Sequence, residues 1–98
     1  MNIEIKKTTE ETIFEIAGRI DTITAPRLEK TINDNTDDKE NLVLDLKNVE
    51  YISSAGLRVL LAAQKKLHKR GSMKVRNVCE EVMEIFEVTG FTDILVIE

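Results

Sequence analysis

A chain of 98 residues with 42% hydrophobic and 33% charged side chains has material for one hydrophobic core, read here as a single domain over residues 1–98. Its one cysteine, Cys79, excludes an internal disulfide and suits a reducing, cytoplasmic compartment; residues 1–30 hold no basic stretch followed by an apolar run, and no segment approaches the roughly 18 apolar residues of a membrane span. The 18 acidic and 14 basic side chains leave a net charge of −4, which disfavours nucleic acid as a direct partner.

In chain order, residues 3–7 and 12–17 are rich in β-branched and apolar side chains and flank the polar Thr8-Thr9-Glu10-Glu11, a pattern that predicts an antiparallel hairpin ended by Gly18. Thr24 then reads as a helix cap and Pro26 as a first-turn residue, with Ala25, Leu28 and Ile32 as the buried stripe. The polar stretch 33–41 ends this helix. Leu42-Val43-Leu44-Asp45-Leu46 is a short continuous apolar run, expected as a central parallel strand covered on both faces. Val49 to Ile52 lead into Ser53-Ser54, after which Leu57, Leu60, Leu61 and Leu67 fall at helical spacing until Gly71, expected at the C′ position. Met73 to Val75 supply a fourth strand and Asn77 a cap. Val78, Val82, Ile85 and Phe86 form the stripe of a third helix stopped by Gly90, and residues 94–97 are a candidate last strand. The order β-β-α-β-α-β-α implies an α/β fold with a mixed sheet, its helices packed on the sheet through right-handed crossovers.

The search for enzyme chemistry finds little. His68 has no metal-spaced companion, Cys79 reads as a small, partly buried side chain, and Asp37-Asp38 lies in a polar linker. Neither serine stands in a P-loop or a G-x-S-x-G elbow, and no cofactor is expected. The basic cluster Lys65, Lys66, His68, Lys69, Arg70, Lys74 and Arg76 lacks interleaved aromatics and reads mainly as cations at a helix C-terminus, where the macrodipole favours them. Glu80, Glu81, Glu84 and Glu87 read as a solvated helix face. What remains is the strand-to-helix junction. One of its hydroxyls is expected to cap the helix, and a hydroxyl there also stands where free amides and the positive dipole end would hold a phosphate. A phosphate would add about −1.5 to −2 charges to that patch and repel a partner docked on it.

Gly18-Arg19-Ile20-Asp21, Thr24-Ala25-Pro26, Leu42-Val43-Leu44-Asp45-Leu46 and Tyr51-Ile52-Ser53-Ser54-Ala55-Gly56-Leu57-Arg58 resemble, in order and spacing, the STAS domains of bacterial anti-sigma factor antagonists, nearly end to end. The resemblance implies a non-enzymatic protein that binds an anti-sigma factor serine kinase, thereby frees a sigma factor, and is released on phosphorylation. It places the acceptor at Ser54, two residues before Gly56. Ser53 stands where the family's D-S-S-G form has aspartate, and Ala55 where it has a second serine. Asp21 resembles the acidic residue of the family's partner face, which here would comprise Asp21, Thr22, Ser53, Gly56 and Arg58. An alternative within the same fold is a STAS subunit of a membrane transport assembly of the ABC lipid-transport type.

Overall fold

The computed structural model describes residues 1–98. Strands β1 (Asn2–Lys7) and β2 (Thr12–Ile20) form the hairpin. Its turn is fastened by Thr8, whose hydroxyl oxygen accepts from the Glu10 and Glu11 N–H groups at 3.2 and 3.0 Å. Helix α1 (Ala25–Asn35) leads to β3 (Asn41–Ile52), α2 (Ser54–Leu67) to β4 (Ser72–Arg76), and α3 (Glu80–Val88) to a 3-10 turn at Phe91–Asp93. The strands lie side by side as β1-β2-β3-β4, with the first pair antiparallel and the other two parallel.

The topology decides which face is covered. The β2-α1-β3 and β3-α2-β4 crossovers advance across the sheet in the same direction, so right-handed connections place both helices on one side. Phe14, Leu44 and Val75, aligned in register across three strands, are fully buried with Leu28, Ile32, Leu60, Leu67, Val82 and Phe86 in a core of 21 residues. The expectation that β3 is covered on both faces is therefore corrected: Leu42, Leu44 and Leu46 point into this core, whereas Val43 and Asp45 belong to the opposite, helix-free face. Val43 is shielded there between its register neighbours Ile13 and Lys74. Asp45 is buried but fully engaged, its carboxylate accepting from the Lys47 N–H at 3.0 Å, the Asn77 amide at 3.2 Å and Arg76 Nε at 3.4 Å. Burial opposes ionisation of Asp45, but the Lys47 N–H, the Asn77 amide and the Arg76 guanidinium outweigh it and hold the carboxyl below its ordinary 3.8. A depressed folded pKa contributes stability above 3.8 that is lost as the pH falls through the folded value. Urea denaturation as a function of pH should show this acid-side loss, and Asp45→Asn should flatten it while lowering stability at neutral pH.

Several local expectations change for identifiable reasons. Gly18 does not end β2; it adopts a φ of +102° in an irregular stretch of the β2-β3 register, and the strand continues to Ile20. Gly71 is not a left-handed cap. It is required because a Cβ there would lie 2.1 Å from the Glu40 carbonyl oxygen, the acceptor for the Ser72 N–H at the start of β4. Asn77 does not cap α3, whose N-cap position is Cys79; it takes a left-handed φ of 57° and turns its amide to Asp45. Leu61 is only half-buried, while Val59 and Ala63 join the core because α2 packs on α1 as well as on the sheet. The tail forms no strand but one parallel bridge, Val75 to Ile97, with Leu95 buried beside it. Gly90 stops α3 as expected, with a φ of 78°.

Candidate functional site at the serine turn

The turn begins where β2 and β3 end together, with Ile20 in register with Ile52. The Ser53 N–H donates to the Ile20 carbonyl at 2.8 Å, extending the ladder by one bond before the chain turns into α2. Ser53 is extended, with φ −88° and ψ 173°, and its Oγ accepts from the Gly56 N–H at 3.2 Å while its carbonyl accepts from Leu57 at 2.9 Å. Ser53 is thus the helix cap. Ser54, the first helical residue, is exposed, and its hydroxyl has no protein partner. The Ser54 and Ala55 amides are the open donors of the first turn, where there is no acidic side chain. The two hydroxyls that look equivalent in sequence have separate positions: one is occupied with structure, the other is free at the positive end of a 14-residue helix.

Gly56 sets how closely this helix start approaches the sheet. A Cβ at Gly56 would stand 2.7 Å from both Ile20 Cγ2 and Ile52 Cγ1, two side chains that are almost completely buried. Only a hydrogen fits there. Arg58 is exposed one turn beyond Ser54.

Asp21 begins the neighbouring turn. Its Oδ1 accepts from the Ile23 N–H at 3.0 Å and the Thr24 N–H at 2.9 Å and lies 3.2 Å from Thr24 Oγ1, an aspartate turn that carries the chain from β2 into α1. Thr24 does not cap α1 as expected. Its Oγ1 looks backwards, accepting from the Asp21 N–H at 2.8 Å and donating to the Arg19 carbonyl at 2.9 Å. The Thr24 N–H above all, with the Ile23 N–H, the Thr24 hydroxyl and the Arg19 charge, holds the Asp21 carboxyl below its ordinary 3.8 in spite of some desolvation. A carbon-detected NMR titration of Asp21 should therefore give a midpoint below 3.8, and Thr24→Ala should raise it.

Asp21, Thr22, Ser53, Gly56 and Arg58 thus lie on or next to the two chain turns joined by the Ser53–Ile20 bond, with Thr22 and Arg58 exposed, Asp21 and Ser53 half-buried and Gly56 buried beneath them. Two features were missed in the sequence. Ile23 stands 87% exposed between Asp21 and Thr24, although its position off the Ala25, Leu28, Ile32 stripe already sets it outside the core. Arg19 lies with its guanidinium carbon 4.3 Å from the centroid of the Tyr51 ring, its register partner on β3, a pairing visible only once the strands are aligned.

The other candidates take structural places. His68 is exposed at the end of α2, Asp38 pairs with Arg70 at 3.4 Å, and Asp37 accepts from the Lys39 N–H at 2.8 Å. Lys66 donates to the Thr36 carbonyl at 3.0 Å, and Lys74 reaches Glu98 at 3.6 Å, so part of the basic cluster ties the end of α2 and β4 to neighbouring segments. The Cys79 thiol donates to the Val49 carbonyl at 3.2 Å. No three histidine, cysteine or acidic side chains are grouped to hold a metal ion, and no helix is long and apolar enough to cross a membrane.

Sheet order, one-sided helices and serine turn together define an α/β domain whose distinctive polar groups lie on exposed turns. The sequence pattern of the STAS domain matches residues 2–98, and the chain belongs to that family. It is 33% identical over 96 residues to the anti-sigma-B factor antagonist of Bacillus subtilis (strain 168), covering 97% of this chain and 88% of that protein. The crystal structure of an anti-sigma factor antagonist from Mycobacterium paratuberculosis superposes with a TM-score of 0.88 at 28% identity, over 98% of this chain and 83% of the other. The unphosphorylated form of the anti-sigma factor antagonist SpoIIAA, 13% identical, shares the fold with a TM-score of 0.80 over 99% of this chain and 88% of its own.

Proposed function

We infer that this chain is a cytoplasmic anti-sigma factor antagonist. It docks a kinase-type anti-sigma factor through Asp21, Thr22, Ser53, Ser54 and Arg58, with Gly56 buried beneath them and setting the height of the turn rather than touching the partner, frees a sigma factor by doing so, and is released when the kinase phosphorylates Ser54. The observation that carries this reading is the division of labour in the serine turn: Ser53 is consumed as the cap, while Ser54 presents an unbonded hydroxyl beside open amides. Family membership and the names of the relatives support the antagonist role. Transfer forms an O–P bond at Ser54 Oγ and breaks the β–γ phosphoanhydride of ATP, the hydroxyl proton passing to a base of the kinase. The antagonist supplies no catalytic group of its own; it supplies an acceptor that can be modified without uncapping the helix. Loss of the partner follows from placing about −1.5 to −2 charges in the middle of a docked surface.

Incubation with ATP and each kinase-type anti-sigma factor of the same genome, followed by mass-spectrometric mapping, tests the acceptor. Phosphate on Ser54, absent from Ser54→Ala, is expected. Phosphate confined to Ser53, or to a residue outside the turn, contradicts the assignment.

A further inference from the structure

We propose that Ile23 is the apolar anchor of the docking face, entering an apolar pocket of the anti-sigma factor whose rim carries a basic or N–H donor for Asp21. A lone exposed isoleucine carries no meaning by itself, but three observations give this one a direction. It is the most exposed of the large hydrophobic residues, at 87%, and it is held on a hydrogen-bonded turn through its own N–H, so little backbone freedom is left to lose on binding. Its neighbour Asp21 spends only Oδ1 on that turn. Oδ2 has no hydrogen-bond partner, and the carboxyl is held ionised, leaving a fixed acceptor beside the apolar side chain. Finally, the turn sits against the serine turn through the Ser53 N–H to Ile20 carbonyl bond, so one partner surface can cover both.

These features describe complementary chemistry. An apolar knob next to a fixed carboxylate oxygen fits a pocket with a cationic or amide rim, and binding energy concentrates in the few side chains that fill such pockets while their surroundings exclude water. Ile23 would also separate the two halves of the switch: it contributes affinity, while Ser54 contributes control. Because Ile23 is 87% exposed and lies outside the core cluster, its replacement should leave the thermal midpoint close to that of the wild type.

The inference rests on the antagonist reading, and its test keeps the two apart. Wild type, Ile23→Ala, Ile23→Leu and Ser54→Asp are titrated by calorimetry against each purified kinase-type anti-sigma factor of the same genome, with thermal midpoints measured in parallel. Ile23→Ala is expected to bind about tenfold or more weakly, from the loss of one buried aliphatic side chain at the interface. Ile23→Leu should bind nearly as wild type, and both midpoints should match that of the wild type. Wild-type affinity in Ile23→Ala, with binding lost in Ser54→Asp, overturns the anchor and leaves the antagonist reading standing. If wild type binds none of these proteins, the reading falls and the anchor falls with it.

Discussion

Replacing Gly56 with alanine should destabilise the domain, although alanine is the better helix former. The helix-propensity gain is about 0.5–1 kcal/mol. Against it stands a Cβ placed 2.7 Å from Ile20 Cγ2 and Ile52 Cγ1 and 3.2 Å from the Ile20 carbonyl oxygen, where ordinary contacts begin at 3.4 Å. Neither isoleucine carbon is the loose end of a flexible chain: both side chains are almost completely buried at the ends of paired strands. Overpacking of this kind costs about 1–3 kcal/mol, so the clash outweighs the propensity gain. The net effect is a thermal midpoint lowered by several degrees, about 4–8 °C for each kcal/mol lost in a domain this small. Gly56→Val should be worse. A midpoint unchanged or raised in Gly56→Ala would mean that α2 lifts from the strand ends without cost and that the turn is not held where it is described. Because the Gly56 N–H is also the donor to Ser53 Oγ, any lift of α2 should disturb the cap and the presentation of Ser54 with it.

A negative charge at Ser54 should separate binding from stability. Ser54 is the first residue of α2, whose opening turn has no acidic side chain, so Ser54→Asp adds a favourable interaction with the helix dipole of about 0.3–1 kcal/mol. Its thermal midpoint should stay level or rise. Affinity for the anti-sigma factor should fall by about tenfold or more, because the same charge is trapped in the docked surface, where like charges and desolvation cost several kcal/mol. Ser54→Ala should bind as wild type and resist release by ATP. Opposite signs for stability and binding in one variant are hard to obtain from a structural role, since a residue needed only for folding would move both together.

The contrast between what the residues announced and what they concealed has a physical pattern. Helical stripes such as Ala25, Leu28, Ile32 and Val82, Phe86 are legible because burial imposes their period. The serine turn was legible as a junction, through the end of an apolar strand and the start of an apolar helix. Which hydroxyl caps the helix was not, because either side chain of Ser53-Ser54 can do so and only backbone geometry decides. Side-chain hydrogen bonds were concealed in the same way: Thr24 has the chemistry of a cap but bonds back to Arg19 and Asp21, and Asn77 bonds across to Asp45. Gly18 and Gly71 look alike as terminators, yet one sits inside a strand with a positive φ and the other makes room for the Glu40 carbonyl. The one-sidedness of the sheet was hidden by Val43, an apolar residue on the helix-free face that its strand neighbours bury. Ile23 carried a signal in being apolar and off the stripe, but its exposure depends on the aspartate turn.

Phosphate on Ser54 is expected to eject the partner from an otherwise unchanged surface. The most direct test is a calorimetric titration of the unmodified protein and of the protein phosphorylated stoichiometrically on Ser54 against the same anti-sigma factor. The predicted result is measurable binding by the unmodified form, at least tenfold weaker binding by the phosphorylated form, and matching backbone NMR spectra away from residues 20–24 and 51–58. Equal affinity of the two forms would contradict the switch.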